Sequence, residues 1–322
     1  KYIRNHDGEK PFAAMVGFPG PHCPYDPSPG FENLYDPDDM PEPYAEAPDQ
    51  PTSFRQGNIN GNKGTWNGVD YTEFTIAHKK KIRAHYAGLV KQIDEKVGDI
   101  LTALRETGQL DNTVIIFSSD HGDYLGDHYL AEKDLFHEES VRIPMIVYDP
   151  DKASDSTRGL IDDHFMESID LVPTFIEAVG GEIPEHILEG RSLLPLLNGK
   201  KPDDWRQYVI CESEYGARFA NWEYNIKPSE ARGTMVRTDK WKYIHHQAFR
   251  PELFDLTNDP NELTDLGEDR SYEEIRIEMR KHMFEFLQKR KSRTTFSDKA
   301  METRARRSLD DDAKKPVYIG VW

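Results

Sequence analysis

The stretch "TVIIFSSDHG", residues 113–122, decides how this chain is read. Val114, Ile115, Ile116 and Phe117 form a short apolar run with no polar alternation. Such a run is expected of a strand covered on both faces, as in a sheet flanked by helices. It stops abruptly at Asp120, His121 and Gly122. Ligands of open α/β sheets sit beyond the carboxyl ends of the strands, so a carboxylate and an imidazole stand where a ligand is expected. That donor pair suits Mn²⁺ or Zn²⁺, and Ca²⁺ less naturally because Ca²⁺ prefers oxygen ligands. Gly122 would let the backbone turn tightly beside them. The residues alone leave another reading open, in which Asp120 caps a loop and His121 is a hydrogen-bonded loop histidine.

Working outward, residues 71–107 place Tyr86, Leu89, Val90, Ile93, Val97, Ile100, Leu101 and Leu104 at three- and four-residue spacing. This predicts one or two amphipathic helices stopped at Gly108. "PFAAMVGF" (11–18) and "IPMIVYD" (143–149) are further strand candidates, and "ESIDLVPTFIEAVG" (167–180) is a helix with Pro in its first turn and Gly180 as its cap. Residues 27–70 are rich in Pro, Gly and acids and show no periodicity, which predicts a long loop. The order of strands and helices implies an α/β unit with a mostly parallel central sheet. From about residue 205 the texture changes. "QYVICESE", "RGTMVRTD", "KWKYIHHQ" and "ELFDLTNDP" are short strands parted by turns, followed by a charged amphipathic helix over 271–291. Two units are therefore expected: 1–204, the α/β unit, and 205–322, a small antiparallel sheet with a C-terminal helix and an apolar tail.

Composition narrows the function. The 322 residues carry a net charge of −17, which argues against a nucleic-acid binder. Two cysteines, Cys23 and Cys211, make neither a disulfide framework nor a cysteine zinc site. No apolar run reaches about 18 residues, so no transmembrane helix is expected. The lack of N-x-S/T sequons and of paired cysteines points to the cytoplasm, with the periplasm or secretion as alternatives.

Other candidates for chemistry stand near the strand end in sequence or pattern. Lys133, in "LAEKDLFHEES", could bring an ammonium to an oxyanion if its loop folds back. His22, in "GPH", could donate a proton to a leaving group. His137 and His128 could line a pocket, whereas Glu138, Glu139 and Arg142 suit a structural ion-pair cluster.

The ordered set "FPGPHCPYDP", "HYAGLVKQIDEKVGDILTALRETGQLDNTVIIFSSDHGDYLGDH", "EKDLFHEESVRIPMIVYDP", "ESIDLVPTFIEAVGGEIPEHILEGRSLLPLLNGK" and "KWKYIHHQAFRPELFDLTNDPNELTDL" resembles the sulfatase family of the alkaline-phosphatase superfamily. It is most similar to the branch that holds sulfatases and phosphonate monoester hydrolases. The resemblance implies an alkaline-phosphatase-like α/β sandwich and hydrolysis of sulfate, phosphate or phosphonate esters of small molecules. It implies one divalent ion, Ca²⁺ or Mn²⁺, with Zn²⁺ or Mg²⁺ as alternatives. By motif, Asp120 and His121 match metal ligands, Lys133 matches the lysine on the sulfate or phosphate oxygens, and His22 matches the histidine near the leaving group. His137 is expected to join Lys133 and His22 at the substrate. Asp170 and Asp255 match structural hallmarks only.

The family nucleophile is a formylglycine made from Cys or Ser in C/S-x-P-x-R, and this chain holds no such motif; "CPYDP" at Cys23 has proline one place early and no arginine. The first metal-binding aspartates of the family are missing as well. The expectation is a C-terminal portion of a sulfatase-like enzyme, inactive by itself, whose nucleophile lies upstream of Lys1. A shortened paralogue that binds metal or anion without catalysis, and a phosphodiesterase or phosphomutase of the same superfamily, are the alternatives. A homo-oligomer formed through the apolar tail is also expected.

Overall fold

The computed structural model describes residues 1–47, 52–61, 73–133, 135–215, 224–292 and 294–307. The tail over 314–322, where contacts between copies were expected, lies outside them. The longest element is helix α3, Ile76–Glu106, after the short helix α1 (Tyr2–Asn5) and helix α2 (Ser53–Gly61). Thr75 caps α3 by accepting from the His78 amide, and Gly108 beyond its end sits at φ +67°. The apolar spacing thus forms one continuous helix.

Strand β1, Ile115–Ser118, follows, then helix α4 (Glu138–Val141) and strand β2 (Met145–Tyr148). β1 and β2 pair antiparallel, Ile115 opposite Tyr148 and Ser118 opposite Met145. A parallel pair needs a crossover long enough to return the chain to the same end, usually a full helix. Among its described residues the link between these strands carries a 3-10 turn at Asp127–Tyr129 and the four-residue α4 but no full helix, and it brings the chain back antiparallel. The "PFAAMVGF" run forms no strand; Met15 and Val16 are 98% and 56% exposed, with no described strand beside them to take their hydrogen bonds. Among the described residues the two faces of the β1–β2 ribbon differ in cover. Met145 and Val147 pack on Leu193, Leu196 and Trp205, while Phe117 and Ile146, opposite each other on the other face, are exposed.

Helices α5 (Leu171–Ala178) and α6 (Leu194–Leu197) lead to a four-stranded antiparallel sheet: β3 Val209–Glu214, β4 Arg232–Arg237, β5 Trp241–His246 and β6 Glu252–Asp255, in that order. Its side chains alternate as a pleat demands. Val236, Tyr243 and Leu253 face Met279 of helix α7 (Glu273–Lys289), and Met235, Ile244 and Phe254 face Phe136. Helix α8 spans Asp298–Arg307. Lys242 on β5 is fully buried and is held by the Phe136 carbonyl at 2.9 Å, Glu138 at 2.8 Å and Glu262 at 2.7 Å. Glu138 therefore joins an ion-pair cluster, as expected, but with Lys242 and Arg237 rather than Arg142. Asp170, at the start of α5, is buried and bound by both terminal nitrogens of Arg206.

Candidate active site

The backbone leaves β1 through Ser119 into Asp120, His121 and Gly122. Gly122 is required by close approach rather than by a special dihedral. Its amide donates to the Ser140 carbonyl at 2.8 Å, and a Cβ there would meet the Glu139 carbonyl oxygen at 2.0 Å. The strand end is thereby clamped against α4.

The side chains of His121 and Asp120 extend from this turn. His121 Nδ1 lies 2.7 Å from the Gly122 carbonyl. A carbonyl only accepts, so Nδ1 carries the proton and Nε2 keeps its lone pair. That lone pair faces Asp120 Oδ2 at 3.7 Å, with the Asp120 side chain 87% exposed. A divalent ion about 2.0–2.4 Å from each ligand atom fits between them. This structure holds two donors for such an ion, a partial set that leaves the ion's other positions to groups beyond this pair.

Two segments far apart in sequence close on the strand end. The His22 ring stands edge-on to the His121 ring with centroids 5.9 Å apart. Lys133 Nζ reaches His22 Nε2 at 2.7 Å, across 111 residues of chain. His22 Nδ1 is 2.9 Å from the Cys23 carbonyl, so here too Nδ1 is the donor and Nε2 the acceptor. Four of the five residues singled out from sequence, His22, Asp120, His121 and Lys133, are therefore neighbours.

The carboxylate of Asp123 holds them together. It accepts from the amides of Leu125 at 3.0 Å and Glu132 at 3.1 Å, and from the Tyr25 hydroxyl at 2.9 Å. Tyr25 follows His22 closely and Glu132 precedes Lys133, so one carboxylate ties both segments. Burial pushes the Asp123 carboxyl up to about 6, against the opposing pull of those donors. Asp123 was legible only as one more acid after the strand, and the pattern of sequence carried no signal for this role.

The fifth residue, His137, lies apart from these four. It is 1% exposed, stacked on His128 with centroids 4.1 Å apart, and bonded to the Tyr124 hydroxyl at 2.8 Å and to Arg55 at 3.2 Å. Burial, then the neighbouring cationic groups, holds its imidazole well below its ordinary value. His128, also buried, pairs with Glu46 at 2.9 Å. His137 is thus enclosed in the core. The sequence offered His137, with His128, as a pocket-lining residue, and in the structure both rings are enclosed.

No helix among the described residues is long and apolar enough to cross a membrane. A family model described as Sulfatase matches residues 1–181, and one described as N-sulphoglucosamine sulphohydrolase, C-terminal, matches residues 126–289. The chain is similar to a multifunctional alkaline phosphatase superfamily protein of Trinickia caryophylli, 36% identical over 84% of this chain and 54% of that protein. It is 31% identical to an arylsulfatase of Clostridium perfringens, over 94% of this chain and 58% of that one. Among solved structures, the phosphonate monoester hydrolase of Agrobacterium radiobacter matches 88% of this chain and 58% of its own, with TM-score 0.78 and 27% identity. The chain spans a little over half the length of these relatives. Their fold is the alkaline-phosphatase-like α/β fold, and this chain shares it.

Proposed function

The chain belongs to the sulfatase family, and on that premise we propose that the whole protein hydrolyses phosphonate or sulfate monoesters of small molecules. One observation carries this reading. Asp120, His121, His22 and Lys133 come from three separate segments and meet within hydrogen-bond or ring-contact distance. A surface lysine and a loop histidine with structural roles would have no reason to converge on the end of β1.

The residues divide the work by their chemistry. The Lys133 ammonium is a mobile point charge, free to leave His22 Nε2 for the anionic oxygens of a bound ester. Its attraction strengthens as charge gathers on those oxygens. His22 is fixed in orientation by its Nδ1 bond to the Cys23 carbonyl. Its Nε2 is the atom that would pass a proton to the leaving-group oxygen. Asp120 and His121 would hold one side of a divalent ion, which when bound supplies Lewis-acid polarisation of the transferring group. The attacking group in this reading is a formylglycine hydrate contributed from upstream of Lys1. The 322 residues alone are then expected to give no multiple turnover.

Phosphonate esters are the first substrate to test, because the structural likeness to a phosphonate monoester hydrolase covers most of the chain. A cytoplasmic enzyme would keep Cys23 and Cys211 as thiols, as they are here. The test is hydrolysis of an aryl phosphonate and an aryl sulfate by the full-length protein, with and without chelator. Lys133→Ala is expected to lower kcat/KM by about 10²–10³, the usual cost of one oxyanion donor. Unchanged kinetics in Lys133→Ala, or hydrolysis indifferent to chelator, would sink this reading.

A further inference from the structure

Beside the proposed substrate position stands a second set of donors. The imidazole of His22, the thiol of Cys23 and the carboxylate of Glu132 place one ligand atom each within 4.8 Å of one another. Cys23 Sγ already donates to Glu132 Oε1 at 3.1 Å. His22 Nε2 holds an unprotonated lone pair, because Nδ1 gives its proton to the Cys23 carbonyl. The set is one sulfur, one nitrogen and one oxygen, unlike the harder Asp120 and His121 pair. Such a mixture favours a borderline-soft ion of the Zn²⁺ class, bound by three protein ligands with a fourth position left to water.

The backbone is arranged to aim these groups. Glu132 sits at φ +63°, a left-handed conformation that a glutamate adopts only when its surroundings impose it. Its amide is held by Asp123 and its carbonyl by the Tyr124 amide at 2.9 Å. Those two bonds hold the glutamate beside Cys23, where its side chain reaches the thiol. The Tyr25 bond to the same Asp123 fixes the Cys23 side of the pair.

We infer that His22, Cys23 and Glu132 form a binding site for a thiophilic divalent cation such as Zn²⁺, and that its occupation separates Lys133 from His22. On binding, the thiol proton leaves to solvent as the sulfur–metal bond forms, and nothing is oxidised or reduced. A cation on either ring nitrogen ends that bond: on Nε2 it takes the lone pair that now accepts from Lys133 at 2.7 Å, and on Nδ1 it moves the ring proton to Nε2, so the two arrangements exclude each other. Binding itself stands on this donor geometry alone. Its consequence, that Zn²⁺ turns hydrolysis off, rests on the roles proposed above for Lys133 and His22.

The site is tested by titrating the reduced 322-residue chain with Co²⁺, a spectroscopic stand-in for Zn²⁺. A thiolate-to-metal charge-transfer band is expected and should be bleached by added Zn²⁺. It should vanish in Cys23→Ser, weaken in Glu132→Gln, and persist in Cys211→Ser and Asp120→Ala. No band in the unmodified chain, or an equal band in Cys23→Ser, overturns the site. Loss of the band in Asp120→Ala overturns it too, by placing the metal at the other pair. In parallel, the rate at which acetic anhydride labels Lys133 is read by mass spectrometry. Zn²⁺ should raise it, and an unchanged rate overturns the exclusion of Lys133. Neither readout requires turnover, so a failure here is separable from a failure of the proposed hydrolase function.

Discussion

At His246 an imidazole is enclosed by rings: Phe54 at 4.5 Å, Tyr215 at 6.1 Å, Phe249 at 6.3 Å and Phe136 at 6.4 Å between centroids. Neither ring nitrogen has a hydrogen-bond partner among the described residues, and Glu252 Oε1 lies 3.8 Å away. Burial, above all, pulls the imidazole from 6.5 down to about 3. The unfolded chain therefore takes up a proton first as pH falls. Stability from this group is whole above pH 6.5 and is lost progressively down to about 3. His246→Phe keeps the size and the ring contacts but cannot titrate. Its urea midpoint is expected to fall less than that of the parent between pH 7 and pH 4. Equal losses in the two proteins would show that His246 does not set this acid limb.

At the scale of elements, β5 is tied to α4 by a buried charge. Lys242 pairs with Glu138 and Glu262 at once and has no exposed surface. Removing one partner of such a group strands the others in a poorly solvated interior. Lys242→Met is therefore expected to destabilise the fold by about 3–5 kcal/mol in equilibrium denaturation. A loss under about 1 kcal/mol would mean that the carboxylates find other partners or protonate at little cost. The elements differ in how openly their residues announce them. The sheet β3–β6 was legible because Met235/Val236, Tyr243/Ile244 and Leu253/Phe254 alternate between two buried faces. Helix α2 was not: its sequence "SFRQGNING" has poor helix formers. Tertiary contacts hold it, with Phe54 in a ring cluster and Arg55, 2% exposed, paired to Glu46 at 2.5 Å. The antiparallel direction of β2 was also hidden, because an apolar run encodes burial and not the sense in which a strand runs.

For the molecule as a whole, a net charge of −17 implies self-repulsion that grows as the chain compacts. Salt screens it: the Debye length falls from about 30 Å at 0.01 M to about 10 Å at 0.1 M. A thermal midpoint that rises over this range is expected, and a flat or falling one would show that attractive pairs such as Arg83–Asp127 and Arg206–Asp170 outweigh the repulsion. The candidate site was readable at this scale only. His22, Asp120, His121 and Lys133 are each unremarkable dipeptide-level signals, and their order along the chain was what assembled them. What order could not convey was Glu132, whose left-handed backbone aims it back at Cys23, or the burial of His137.

The Asp123 carboxylate joins Tyr25 to a point 98 residues later. The same carboxylate holds the Glu132 amide, so one side chain closes a loop of chain onto the site. Asp123→Asn keeps the shape but loses the charge, and is expected to loosen His22 and Lys133 together rather than one of them alone.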